Sequence, residues 1–239
     1  MSSAVQSLGR VKLHEQVAQQ LALRIVSGEI AADDSVPAEP DLAEQFAVSK
    51  TVVREAVQML SSAGLVQVRH GKRTAVLDAD SWNVLDPLVF EAYRALGKSK
   101  ALLADLYAVR SLLEPPAARW TAERAEDEDV ARLMALIDEI SEAAKAGEEH
   151  RVLDADRRFH LQIIEIAGAN MVLHAIFRDL EALLRGLWSM PLPQDHLAEI
   201  HRQHAAIADG IATGDGLAAE ERMRAHIEWA ARSDLAAFS

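Results

Sequence analysis

The feature that most constrains this chain is a change of hydrophobic period within residues 11–77. From Val11 to Ser27 apolar side chains recur at helical spacing, at Val17, Leu21 and Ile25, with Gln, Glu and Arg between them. Gly28 is a suitable stop, and a short helix from Glu39 to Ala47 follows Pro37. Ser49 can accept from the free amides that open the next helix, which runs through Val53, Ala56, Val57 and Leu60 to Gly64. The period then drops to two. Leu65 to Arg69 alternates as a strand does, His70-Gly71-Lys72-Arg73 is a tight polar turn, and Thr74 to Leu77 returns. Helix, helix, turn, helix and then a hairpin predict a winged helix-turn-helix.

Beyond Leu77 no alternating pattern recurs. The spacing predicts helices over Asp86–Leu96, Lys100–Glu123, Asp127–Ala146, His150–Ala167, Met171–Trp188, Gln194–Thr213 and Gly216–Ala237, separated by short Gly, Pro or Asp breaks. Alanine occurs 43 times and aromatics make up only 5%, a bias toward helix over sheet. The tandem Pro115-Pro116 should kink or interrupt its helix, because each proline removes an amide donor. The expected fold is mainly α: a winged helix-turn-helix over 1–78, then an all-α antiparallel bundle of six or seven helices over 79–239.

The formal net charge of −12 argues, at face value, against nucleic acid. Its distribution reverses that. Residues 1–77 hold eight Lys/Arg and eight Asp/Glu, so the whole excess belongs to the second part. Within 49–73, Lys50, Arg54, Arg69, Lys72 and Arg73 face Glu55 alone. Ser49, Lys50, Thr51 and Arg54 occupy the opening of the recognition helix. There the helix end suits phosphate, and the guanidinium fork of Arg54 can read guanine in the major groove. Lys72 and Arg73 suit the phosphate backbone, and His70-Gly71 at the wing tip can approach phosphate or the minor groove. The expected partner is double-stranded operator DNA. The absence of cysteine excludes disulfides and thiolate metal sites. Met1 to Lys12 lacks the apolar stretch of a secretory signal, and no run of about 18 apolar residues occurs, so a cytoplasmic protein without membrane partners is expected.

Several of these residues carry a resemblance. Pro37-Ala-Glu39, Leu42-Ala43, the run Val48 to Ala56, Leu60, Gly64-Leu65-Val66 and Arg69 to Lys72 resemble the DNA-binding domain of GntR-type bacterial transcription regulators. Departures bear on the operator sequence. Pro40 stands where many relatives carry a DNA-contacting Arg, Lys50 replaces the usual Arg, and Asp34 and Arg73 occupy positions commonly Gly.

In the second part Asp156 and His160 are four apart, on one helix face. His204 and His226 lie on the last two predicted helices, which can run antiparallel and bring both rings level. Three imidazoles and a carboxylate suit a divalent ion, zinc first, with nickel or manganese as alternatives. The Arg110-x-x-x-Glu114-Pro motif, Asp156-x-x-x-His160, the His204 to Asp215 stretch and His226 are similar to the effector domain of the fatty-acid-responsive (FCD) branch of GntR regulators. The resemblance implies that Asp156, His160, His204 and His226 are the metal ligands. It also implies that Arg110 faces the cavity and pairs with an effector carboxylate. Arg185 and Trp188 are candidate pocket residues beside it.

Trp82-Asn-Val-Leu-Asp86-Pro-Leu resembles a linker signature of regulators of sugar-acid catabolism, which implies a sugar acid as effector; alternatively, Trp82 packs the linker against the bundle. His14, His150, His174, His196 and His201 read as surface residues, with His201 also placed to support His204. The expected protein is a homodimeric repressor responsive to a small carboxylate. Competing readings are a metal-dependent hydrolase and a dimerisation bundle with a purely structural metal. The hydrolase reading lacks a His-Glu-x-x-His or similar cluster to supply its base.

Overall fold

The computed structural model describes residues 12–68, 73–168, 171–187 and 194–237. It divides into two compact units, Met1–Lys98 and Ser99–Ser239.

In the first unit α1 (Leu13–Val26), α2 (Glu39–Gln45) and α3 (Lys50–Ser62) precede the strands β1 (Val66–Gln67) and β2 (Ala75–Val76). The strands pair antiparallel, Val66 with Val76 and Gln67 with Ala75, and Ser35 forms a further bridge to Ala75. Among the described residues the pairing covers these positions, a shorter stretch than the alternation over Leu65–Arg69 and Thr74–Leu77 predicts; Arg69 lies outside the described residues. Ser49 caps α3, its hydroxyl accepting from Val52 N at 3.3 Å. Leu21, Ile25, Leu42, Val53, Leu60 and Leu65 form the fully buried centre. Each such side chain contributes about 2 kcal/mol by leaving water.

A 3-10 turn over Ala79–Ser81 leads to α4 (Pro87–Ala95), the helix expected to open the bundle. It packs on α1 instead, burying Leu88, Val89 and Ala92 in the core of the first unit. Trp82 packs against the same core and donates from Nε1 to the Leu77 carbonyl at 3.0 Å. Gly64 holds this return in place. Its φ is +73°, and an added Cβ would lie 2.2 Å from the Ser81 carbonyl oxygen. Gly64→Ala is therefore expected to destabilise the chain by at least about 2 kcal/mol, combining left-handed strain with a backbone clash. Urea unfolding checks this, and a loss below half that figure would show that the Ala79–Ser81 turn yields easily.

The second unit comprises α5 (Ser99–Arg124), α6 (Asp127–Ala146), α7 (Glu149–Ile166), α8 (Met171–Leu187), α9 (Gln194–Ala212) and α10 (Gly216–Ala237). Helix α5 packs against α7, α8, α9 and α10, and α6 closes on α7 and α9. The tandem prolines do not interrupt α5. The amides they lack would have bonded the carbonyls of Ser111 and Leu112, and Leu112 is 74% exposed, where water replaces the donor. The acid-rich start of α6 is the solvated helix opening its charges favour, with Asp127, Glu128 and Asp129 in the first turn and a capping box from Glu126. Among the described residues no helix is long and apolar enough to cross a membrane.

Candidate metal and effector site

Asp156 and His160 project from one face of α7, His204 from α9 and His226 from α10, and all four are buried. One ligand atom from each lies within 4.8 Å of the others. His204 Nε2 is 3.0 Å from Asp156 Oδ1 and 3.2 Å from His160 Nε2, while His160 Nε2 is 3.9 Å from the same carboxylate oxygen. Phe159 packs edge-on against His204, with ring centroids 4.8 Å apart, and excludes solvent from that side.

The outer nitrogens determine what the inner ones offer. His204 Nδ1 donates to the Ile200 carbonyl at 2.7 Å, and that oxygen can only accept. His226 Nδ1 donates to Gln203 Oε1 at 2.8 Å, and the Gln203 amide nitrogen donates in turn to Glu199. Glu114 Oε2 lies 2.5 Å from His160 Nδ1, a charge contact that departs from the line of a good hydrogen bond. With the protons drawn to Nδ1, the Nε2 lone pairs converge on one another and on Asp156. Converging acceptors repel unless a cation sits among them, so the donor set fits a divalent metal. Burial alone would raise the Asp156 pKa, but His204, followed by His160 and His226, holds the carboxyl well below its usual range. Burial, reinforced by His204 and His160, drives His226 the other way, toward the neutral form that binds metal.

Arg110, on α5, lines a cavity of about 20 Å³ with Tyr107, Asp156, His226, Trp229 and Asp234, room for roughly one water. Its guanidinium is occupied: Nε pairs with Glu114 Oε1, and Nη2 donates to Glu114 Oε2 at 3.3 Å. Tyr107 donates to Asp234 across the α5–α10 seam. Glu181, on α8, is also buried, with Oε1 3.8 Å from Arg110 Nη2. Burial raises its pKa, Arg110 opposes, and Glu114 and Asp156 add to the rise; the net effect pushes the carboxyl up to about 8. Arg157 also faces it and opposes the rise. The folded carboxyl thus keeps its proton to about 8 while the unfolded one loses it near 4.5, so stability falls as pH rises across that window and levels off above it. Glu181→Gln is expected to remove this loss and to melt several degrees higher than the unsubstituted chain at pH 8, with the gap closing toward pH 5. Equal melting temperatures at both pH values would show that the carboxyl ionises normally.

At the other end of the chain, Lys50, Thr51 and Arg54 are arrayed on the opening turns of α3, with Thr51 and Arg54 exposed. The Arg54 side chain is 73% exposed and pairs with Glu39 of α2 at 3.4 Å. Arg73 is exposed beside β2.

Residues 13–76 match the bacterial regulatory proteins of the gntR family, and residues 105–228 match the FCD domain. The chain belongs to the GntR family. Its relatives include the galactonate operon transcriptional repressor of Escherichia coli, 28% identical over 87% of this chain and 90% of that protein. The regulator Mce2R of Mycobacterium tuberculosis is 31% identical over 98% of this chain and 96% of that one. Among solved structures, Streptococcus agalactiae GntR covers 92% of this chain and 99% of its own, with a TM-score of 0.54 and 26% identity. The Listeria monocytogenes regulator Lar reaches a TM-score of 0.64 over 95% of this chain and 98% of its own, and at 18% identity supports the fold alone. This GntR protein is a DNA-binding transcription regulator and not an enzyme, which removes the hydrolase reading.

The structure of this GntR regulator brings together the four residues expected to bind metal and places Arg110 at the cavity. His70, Gly71, Lys72, Trp188 and the side chain of Arg185 lie outside the described residues. His196 does not behave as a surface residue: its ring sits 4.5 Å from Trp229 at the cavity wall. His201 lies in a groove with Ser141, Ala144 and Lys145 of α6, and the support it was expected to give His204 comes from the Ile200 carbonyl. Sequence reasoning assigned no role to Glu114, Gln203 or Glu181. Glu114 carried a signal, four residues after Arg110 on an otherwise apolar helix face.

Proposed function

We propose that this chain is a homodimeric repressor that is released from its operator by a small carboxylate, a sugar acid by preference. Residues 1–78 bind DNA through Ser49, Lys50, Thr51 and Arg54 of α3 and His70, Gly71, Lys72 and Arg73 of the wing. The helical part beyond holds one divalent metal, zinc first, on Asp156, His160, His204 and His226, with Arg110, Arg185 and Trp188 around the effector. The carrying observation is the buried set of converging imidazole lone pairs and carboxylate in a chain whose other unit opens a helix with exposed cationic residues.

Two wings bind half-sites of a pseudo-palindrome about one helical turn apart. When bound, the metal supplies positive charge that attracts a carboxylate oxygen. Arg110 orients the ligand, and the imidazole contacts with Ile200, Gln203 and Glu114 keep the rings aimed. The effector acts only through different affinity for the DNA-competent and released arrangements. The E. coli relative is named for the galactonate operon, which makes galactonate the first probe. Fluorescence anisotropy of the DNA upstream of this chain's own gene should show salt-sensitive binding that weakens as galactonate is added. Operator affinity unmoved by galactonate removes that effector, and indifference to DNA sequence removes the operator reading.

A further inference from the structure

Glu181 is the buried group that the site as described leaves unused. It is 2% exposed, and among the described residues neither carboxyl oxygen has a hydrogen-bond partner. Its nearest cation, Arg110 Nη2, is 3.8 Å away, beyond hydrogen-bond reach. A buried polar atom without a partner costs free energy, and native proteins carry few of them. Two on one carboxyl point to a group that arrives from outside.

The neighbours narrow what that group is. The metal cluster has its own carboxylate in Asp156, and Glu181 is not among the atoms that converge there. Arg110 is already balanced by Glu114 through Nε and Nη2, so Glu181 is not needed as its counter-ion. Arg110 lines the cavity and its Nη2 faces Glu181 at 3.8 Å, so the carboxyl stands behind the guanidinium, one side chain from a ligand seated on Arg110. A second cation beside the guanidinium is disfavoured by repulsion, and an anion by the acids Glu114 and Asp156. An uncharged group that both donates and accepts suits the position: a hydroxyl.

We propose that Glu181 hydrogen-bonds a hydroxyl of the effector and so selects hydroxylated acids over plain carboxylates. This rests on the reading of the effector as a small carboxylate and adds the residue that reads the rest of the molecule. A carboxyl that keeps its proton presents one donor and acceptor sites to a hydroxyl, and it sets no charge against an anionic ligand. One such hydrogen bond corresponds to a preference of about tenfold.

The test is calorimetric titration of the full-length, metal-replete chain with galactonate, gluconate and hexanoate, the last a six-carbon acid without hydroxyls. The unsubstituted protein is expected to prefer at least one hydroxy acid over hexanoate by tenfold or more. Glu181→Leu and Glu181→Ala should each cut that preference about tenfold while leaving hexanoate affinity within about threefold. Glu181→Gln keeps a donor and an acceptor and should hold the preference within about threefold. Metal content should be the same in all. An unchanged preference in the Leu and Ala variants, or equal loss of every acid from all three, overturns the role of Glu181 and leaves the carboxylate reading standing. Failure of the unsubstituted protein to bind any of the acids overturns both.

Discussion

Replacing His204 with alanine is expected to strip the metal from the bundle and, with it, the metal's contribution to thermal stability. His204 is the hub of the donor set: its Nε2 lies closest to both Asp156 and His160, and it is the only one of the four donors supplied by α9. Without it the site keeps the two donors of α7 and the one of α10. The unsubstituted chain should carry about one divalent ion per protomer after gentle purification, and His204→Ala close to none. A metal present at 1,000 times its Kd adds about 4 kcal/mol to the folded state, which for a chain of this size is roughly 8–16 °C in Tm. Chelation should lower the Tm of the unsubstituted protein by that order and leave the variant unmoved. Affinity should also weaken at acid pH, because metal binding needs neutral imidazoles and competes with protons. His201→Ala is the matched control. It removes a ring one turn earlier on α9, in the groove beside Lys145, and should retain full metal content. Undiminished metal in His204→Ala would remove that residue from the site.

The contrast between His204 and His201 also shows what the sequence made legible. Helix boundaries in the bundle could be read closely because Gly, Pro and Asp breaks punctuate strongly periodic segments; Asp127–Ala146 is observed as predicted. The candidate metal set was legible chiefly through the FCD resemblance; the four-residue step from Asp156 to His160 by itself only puts two donors on one face, which antiparallel α9 and α10 can meet. The groups that aim the rings were not. The carbonyl of Ile200 has no side-chain signature, and Gln203 acts on His226, 23 residues away, through a helix packing no local pattern encodes. The same limit explains α4. Leu88, Val89 and Ala92 announce a buried face, but not that α1 rather than the bundle receives it. Glu181 was hidden because an acid two residues after Arg178-Asp179 reads as one more surface charge until its surroundings are known.

Replacing Arg54 with alanine is expected to cost more operator affinity than any other single change in the first unit. Arg54 lies one turn into α3, and its pair with Glu39, at 3.4 Å and largely exposed, is weak enough to break on contact with DNA. A guanidinium that reads guanine bidentately discriminates by about 1–3 kcal/mol, and the proposed dimer would present two copies, giving roughly 2–6 kcal/mol, or at least about thirtyfold in Kd. Because Arg54 touches no part of the buried core, the Tm should stay within about 1 °C of the unsubstituted chain. Lys50→Ala provides the comparison. A phosphate contact carries no sequence information, so its loss should weaken operator and scrambled duplex alike and reduce the salt dependence by about one counterion per copy. Anisotropy titrations of both duplexes at two salt concentrations separate the roles. If Arg54→Ala weakens both duplexes equally, Arg54 is a backbone contact and base reading must come from elsewhere on α3. If it weakens the operator alone, a chain with a net charge of −12 reads sequence through a few well-placed cations at the end of one helix, because most of the acid excess lies in the other unit.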